Sequence, residues 1–141
     1  MLDMDRKQIG SINELLVFAE LMKYGSVSKP IGDNSRYNCI FDYKGRLYRI
    51  QVKTACQTKE DCFYVPFCNR RQTPQGVVRK PYTSEQVDFI ACYYKGRVLL
   101  IKVDDSIVGA MFFRETYPKN GIKKTVNLYA DYLIEKVLNM L

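Results

Sequence analysis

The chain reads as a single α/β domain over residues 1–141, with a mixed β-sheet flanked by helices. Three observations predict this. A helical apolar period opens the sequence, two strand pairs joined by Lys-Gly turns fill its middle, and a second helical stripe closes it. No internal repeat, linker or low-complexity tract interrupts that order.

The first helix is expected over residues 5–24. Ile9, Ile12, Leu16 and Ala19 recur at spacings of three and four, Leu15 to Ala19 is apolar nearly all round, and Gly25 stops it. Glu14 is the odd residue, with Phe18 and Leu21 following it on one stripe. Three readings stay open for it: a capping box with Ser11 if the helix begins there, a solvated helix residue, or a functional carboxylate. Val27–Ser35, with Pro30 and Gly32-Asp33-Asn34, reads as a loop with room for a short strand at its start.

Arg36–Tyr43 and Arg46–Thr54 are the next two strands, with Lys44-Gly45 as their turn. Alternation sends Tyr48, Ile50 and Val52 to one face and Leu47, Arg49, Gln51 and Lys53 to the other. Gln51 and Lys53 then stand ~7 Å apart on a common face. Asn38, on the preceding strand, can project to the same place. A polar side chain followed by Gln-x-Lys on paired strands has the shape of a metal-dependent phosphodiesterase site with one part altered.

A polar turn is expected over Gln57–Asp61, then a third strand, Cys62–Cys68, in which Pro66 argues that the strand lies at an edge or ends there. Asn69–Pro81 reads as the longest irregular stretch. Arg70, Arg71, Arg79 and Lys80 make it either a solvated loop or, the favoured reading beside a phosphodiester site, an arm that grips a nucleic-acid backbone. Val87–Tyr94 and Arg97–Val103, joined by Lys95-Gly96, form a second hairpin apolar enough for burial on both faces. Within it Asp88 is expected to anchor a neighbouring Lys or Arg. A short strand near Met111–Phe113 and a basic cluster at 119–124 follow, adding Lys123 and Lys124 to the candidates for phosphate contact. A final helix over about 128–140 offers Tyr129, Leu133, Val137 and Leu141 to the core or a partner subunit.

Composition narrows the chemistry. The chain is 47% hydrophobic and 26% charged, ordinary for a globular domain, and no apolar run approaches a membrane span. Its start lacks the apolar core of a signal peptide, so a cytoplasmic location is expected. A net charge of +7 makes an acidic polymer the natural partner. Five cysteines without a Cys-x-x-Cys pair argue against a disulfide framework or a zinc ribbon. The absence of histidine excludes Ser-His-Asp and Cys-His catalysis and any nuclease with a histidine base. Carboxylates, lysine, tyrosine or a hard metal ion must do the work.

At Gly10-x-x-x-Glu14, Pro30-x-Gly-Asp-Asn34, Tyr37-Asn38 and Arg49-Ile-Gln-Val-Lys-Thr54 the chain resembles the PD-(D/E)xK nucleases. Among them it looks most like the group I intron-encoded homing endonucleases that carry Gln-x-Lys in place of Glu-x-Lys. The likeness extends to Tyr82–Phe89 and to Lys119-Asn-Gly121 leading into Tyr129-Ala-Asp-Tyr132, and so covers most of the chain. It implies a restriction-endonuclease-like core, double-stranded DNA as substrate, and Mg²⁺, with Mn²⁺ as a substitute. It also implies assembly as a homodimer or homotetramer, since so small a chain reaches few base pairs alone. Carried over by residue, Glu14 and Asn38 would flank the ion, Gln51 would give an amide oxygen and Val52 a backbone carbonyl. Lys53 would orient or activate the attacking water.

The sequence departs from the family at Asn38, where the family has aspartate. An amide has nearly the shape of a carboxylate but carries no charge and only one oxygen. With Gln51 also neutral, Glu14 is left as the anionic ligand, with Asp33 and Asp42 as weaker substitutes. The resemblance therefore implies a site-specific endonuclease in an inactive Asp-to-Asn form, engineered or natural, with the intact remainder favouring an engineered change. A Holliday-junction resolvase or other structure-selective nuclease, and a catalytically silent DNA-binding module, are the alternatives.

Overall fold

The computed structural model describes residues 3–141; Met1 and Leu2, part of the segment read as lacking a leader, lie outside the described residues. Helix α1 (Arg6–Leu21) begins at a capping box in which Asp5 accepts from the Gln8 N–H and Gln8 answers to the Asp5 N–H. The cap therefore lies upstream of Ser11, and Glu14 is a mid-helix residue on the same side as the buried Val17, Phe18 and Leu21. Gly25 ends the helical segment against the next strands: a Cβ there would stand 2.0 Å from the Asp42 carbonyl oxygen.

The central sheet has five strands in the order β1 (Ser26–Ser28), β2 (Cys39–Tyr43), β3 (Arg46–Val52), β8 (Phe89–Tyr94) and β9 (Arg97–Lys102). Its pairs are antiparallel except β3 with β8, which makes the sheet mixed. Both Lys-Gly turns adopt positive φ at both residues (51° and 81° at 44–45, 48° and 79° at 95–96), the twist that closes a two-residue hairpin. A second sheet holds β4 (Cys56–Lys59), β5 (Cys62–Pro66) and β10 (Ala110–Arg114) in the order β10-β5-β4.

Alternation along β8 and β9 builds two cores, one on each face of the main sheet. Phe89, Ala91, Val98 and Leu100 join Val17, Phe18 and Leu21 of α1, and Ile134, Val137 and Leu138 of the short helix α2 (Ile134–Leu138). Ile90, Cys92, Leu99 and Ile101 pack instead on Phe63, Val65 and Phe113 of the second sheet. Burying these strands on both sides fits their nearly continuous apolar sequence. The five cysteines are unpaired; burial pushes the thiols of Cys39 and Cys92 up to about 12, so both are packing groups. Among the described residues no helix is long and apolar enough to cross a membrane.

Four local expectations are corrected. Asn69–Pro81 is not irregular: it forms a two-stranded ribbon, β6 (Cys68–Thr73) and β7 (Gly76–Pro81), paired from Cys68–Pro81 to Thr73–Gly76. The polar turn at Gln57–Asp61 is largely strand β4, with a register shift between Gln57 and Lys59 that breaks its alternation. The final helix splits into a 3₁₀ turn (Tyr129–Tyr132) and α2, because Leu133 is extended and bridges to Leu99. Finally, β2 starts at Cys39, three residues late, which frees Arg36 to reach another element.

Candidate functional site

Asn38, Gln51 and Lys53 line one cleft of about 540 Å³, together with Asp33, Arg36, Tyr37 and Tyr82. The hairpin register explains the meeting. Cys39 pairs with Ile50, and both point into the helix-side core; the flanking Asn38 and Gln51 therefore point to the opposite face. Glu14 lines an adjoining cleft that shares Asp33, Ser35, Tyr37 and Asn38 with the first. Asn38 stands at their junction.

The hydrogen bonds of Asn38 determine what it offers. Its backbone N–H donates to the Ile50 carbonyl at 2.8 Å, extending the β2–β3 ladder by one residue. Its side-chain Oδ1 accepts from the Val52 N–H at 2.6 Å. Only the amide oxygen can accept from an N–H, so the free pole of the amide is Nδ2, a donor. Among the described residues Nδ2 finds no acceptor. The Val52 N–H is thus taken up by Asn38, and the Val52 side chain packs into the helix-side core.

As it stands, this donor set offers a divalent cation few anionic oxygens. Mg²⁺ takes hard oxygen ligands, and Asn38 has already committed its oxygen and turns a donor outward. Glu14 lies 3.5 Å from Lys29 Nζ, which faces it across the second cleft. Among the described residues no three acidic or cysteine side chains cluster closely enough to hold an ion. Asp42 is no substitute, because its Oδ1 accepts from the Gly45 N–H at the hairpin turn. Asp33 does line both clefts and is the second carboxylate there.

Lys53 is held from one side. Its Nζ lies 5.0 Å from the centre of the Tyr82 ring, on which the Arg36 guanidinium also stacks at 4.2 Å. Tyr82 is buried in the second core, which makes it a rigid platform. Arg36 is occupied structurally: it donates to the carbonyls of Pro81 and Lys80 and to Gln86 Oε1, tying the foot of the ribbon to the cleft. Arg36, Tyr82 and Lys29 are residues the sequence did not single out as site components. A signal for Tyr82 was present in the resemblance around 82–89, whereas nothing local marks Lys29.

Asp88 anchors an arginine, as expected. Arg49 donates to both its oxygens through Nε and NH2, and through its backbone N–H at 2.7 Å. Burial raises the Asp88 carboxyl, but the side-chain and backbone hydrogen bonds from Arg49 outweigh it and hold the group below its ordinary range. The basic candidates divide. Arg71 and Lys80 line the Gln51–Lys53 cleft, Arg70 and Arg79 line a different groove, and Lys123 and Lys124 lie in neither.

Comparison with known proteins gives the family and the fold. No curated protein sequence matches the chain. Among solved structures, a bacterial homing endonuclease, I-Ssp6803I, superposes with a TM-score of 0.78 at 23% identity, covering 97% of this chain and 94% of that one. At that identity the likeness establishes a shared fold, the restriction-endonuclease-like arrangement of mixed sheet and helices. The sequence also matches the PD-(D/E)XK endonuclease family over residues 4–135, a span containing Glu14, Asn38, Gln51 and Lys53. With nearly the whole length matched, and those side chains gathered at one end of the β2–β3 hairpin, the chain belongs to the PD-(D/E)XK endonuclease family.

Proposed function

We propose that the chain is a site-specific, double-stranded-DNA homing endonuclease in architecture, of the intron-encoded kind, with phosphodiester hydrolysis switched off at Asn38. The bond from the Val52 N–H to Asn38 Oδ1 carries this reading. In an aspartate, one oxygen would keep that bond and the second would be released to the clefts as an anionic acceptor. Asparagine keeps the bond and the fold but offers N–H instead. Mg²⁺, with Mn²⁺ as substitute, is the ion a hard oxygen set here would take, and its chemistry is the stabilisation of charge developing at phosphorus.

In this reading the remaining work falls to the protein's own groups. Lys53, backed by the Tyr82 ring, presents Nζ to a phosphate oxygen or to the water in line with it. Gln51 can orient the same water through its amide. Glu14 and Asp33 border the site but leave it short of the carboxylate that position 38 supplies elsewhere in the family.

The test is cleavage of linear intronless host DNA and of a four-way junction, with and without Mg²⁺, by this chain and by Asn38→Asp. Site-specific cutting of linear DNA by the Asp form alone is the expected result. Cutting of the junction alone would move the protein to the resolvases. Binding without cutting by both forms would leave it a silent DNA-binding module.

A homodimer or homotetramer completes the proposal, because one catalytic cleft per chain addresses one strand of a duplex. The surface of α1 opposite the core supports a second copy as occupant: Ile12, Leu15 and Leu16, with Met22 just beyond the helix, follow helical spacing and stay exposed, Leu15 at 66%. Light scattering is expected to give a multiple of the 16.5 kDa chain mass. A Leu15→Glu variant is expected to fall toward the monomer, and a monomeric parent chain would remove this part of the proposal.

A further inference from the structure

The β6–β7 ribbon stands apart from both sheets, and residues 69–72 and 77–80 are exposed on both of its faces. Its register sorts its side chains. Asn69 pairs with Lys80 and Arg71 with Val78, and these four share the face that lines the Gln51–Lys53 cleft. Arg70 pairs with Arg79, and they look the other way, into a groove shared with Arg6, Ile9 and Thr54 in which no carboxylate stands. Two arginines directly across a strand pair repel, and an anion between them relieves the repulsion.

Composition does not separate the faces, since each carries an amide, a valine and cations. Placement does. A duplex seated with a phosphate at Lys53 meets the cleft face, because that face is a continuation of the cleft wall. The six-residue strands span ~20 Å, and a two-stranded ribbon fits the major groove, about 12 Å wide.

We propose that the ribbon enters the major groove of DNA held in the cleft and reads base edges with Asn69, Arg71, Val78 and Lys80, while Arg70 and Arg79 supply sequence-blind attraction to phosphate. The chemistry of the cleft face suits the task. A guanidinium reaches O6 and N7 of guanine, an amide pairs with N6 and N7 of adenine, an ammonium meets guanine acceptors, and an exposed valine packs on a thymine methyl. Arg36 sets the angle of entry by holding the carbonyls of Lys80 and Pro81 at 3.1 and 2.9 Å. This inference rests on the DNA-binding reading above.

The experiment is selection from a randomised duplex pool in EDTA, with the full chain and with Arg71→Ala and Arg79→Ala. Both side chains are exposed and outside the cores, so the folded state survives either change. The parent chain is expected to enrich one motif. Arg71→Ala should lose about tenfold of the discrimination at one position of that motif. Arg79→Ala should keep the motif, bind all duplexes more weakly, and lower the salt slope by about one. A motif that survives Arg71→Ala unchanged, or that changes with Arg79→Ala instead, overturns the assignment of faces while leaving site-specific binding intact. A parent chain that binds duplex without enriching any motif overturns both.

Discussion

Along one face of β3 and its continuation stand three side chains two residues apart, Arg49, Gln51 and Lys53, and the first differs from the other two. Arg49 is saturated: it holds both oxygens of Asp88 and the carbonyls of Ser84 and Glu85. Gln51 and Lys53 make no side-chain hydrogen bond among the described residues. Saturation marks a group whose partners are all in the fold, because a half-buried guanidinium without acceptors would destabilise it. Unused donors and acceptors on the rim of a cleft cost little while water fills it and become available when a ligand displaces that water. The same strand therefore carries one charge that the fold satisfies and one that it leaves open, and what separates them is whether the polypeptide supplies the partner.

The sharpest way to break this contrast is at Lys53. In the Asn38→Asp background, Lys53→Ala should lower single-turnover cleavage by about 10²–10⁴-fold, the size of a lost positioned acid–base or charge-stabilising group. Duplex affinity should change by only about threefold. Cleavage that survives this change would show Lys53 to be as structural as Arg49.

The next effect concerns divalent ions and binding. Asn38 brings no charge to the clefts, so duplex affinity of the present chain should be the same in EDTA and in Ca²⁺. Asn38→Asp adds a carboxylate facing phosphate, and should weaken binding in EDTA by about tenfold and regain it with Ca²⁺. Titration by fluorescence anisotropy reads both. A parent chain whose binding requires Ca²⁺ would contradict the outward-turned Nδ2 of Asn38.

At the structural pole, Asp88→Ala should cost about 2 kcal/mol of unfolding free energy, since it strips hydrogen bonds from a charged group. Urea melts measure this, and the DNA motif selected should stay the same. A change of motif with unchanged stability would invert the roles assigned along the strand.

Much of this was legible in sequence because the signals were local. Both hairpins announced themselves through alternation on either side of Lys-Gly, and β8 and β9 through apolar runs that only double-sided burial explains. Gln51 and Lys53 followed from period-2 geometry. The ribbon hid behind its own polarity: its strands bury almost nothing, so they show no apolar alternation, although Thr73-Pro-Gln-Gly76 is a turn tetrad with proline second and glycine fourth. The C-terminal helix misled for the opposite reason. Its apolar spacing runs unbroken from Tyr129 to Leu141, but Leu133 is drawn into an extended bridge with Leu99, a long-range contact that local propensity does not register. The orientation of the Asn38 amide was beyond reach, because it depends on an N–H fourteen residues away.

Acid offers the finest test of the comparison. The Asp88 carboxyl is held below its ordinary value, with burial opposing and the Arg49 hydrogen bonds prevailing. A group depressed in the folded state contributes stability that is fully present above its unfolded pKa, near 3.9. That contribution is lost as pH falls through the lower, folded value. The urea midpoint of the parent chain should therefore drop below about pH 4. Asp88→Asn cannot gain this proton, so it should start less stable at neutral pH and fall less steeply. Parallel pH profiles for the two proteins would mean that the Arg49–Asp88 pair, for all its hydrogen bonds, contributes no more to the fold than the unpaired Lys53 four residues away.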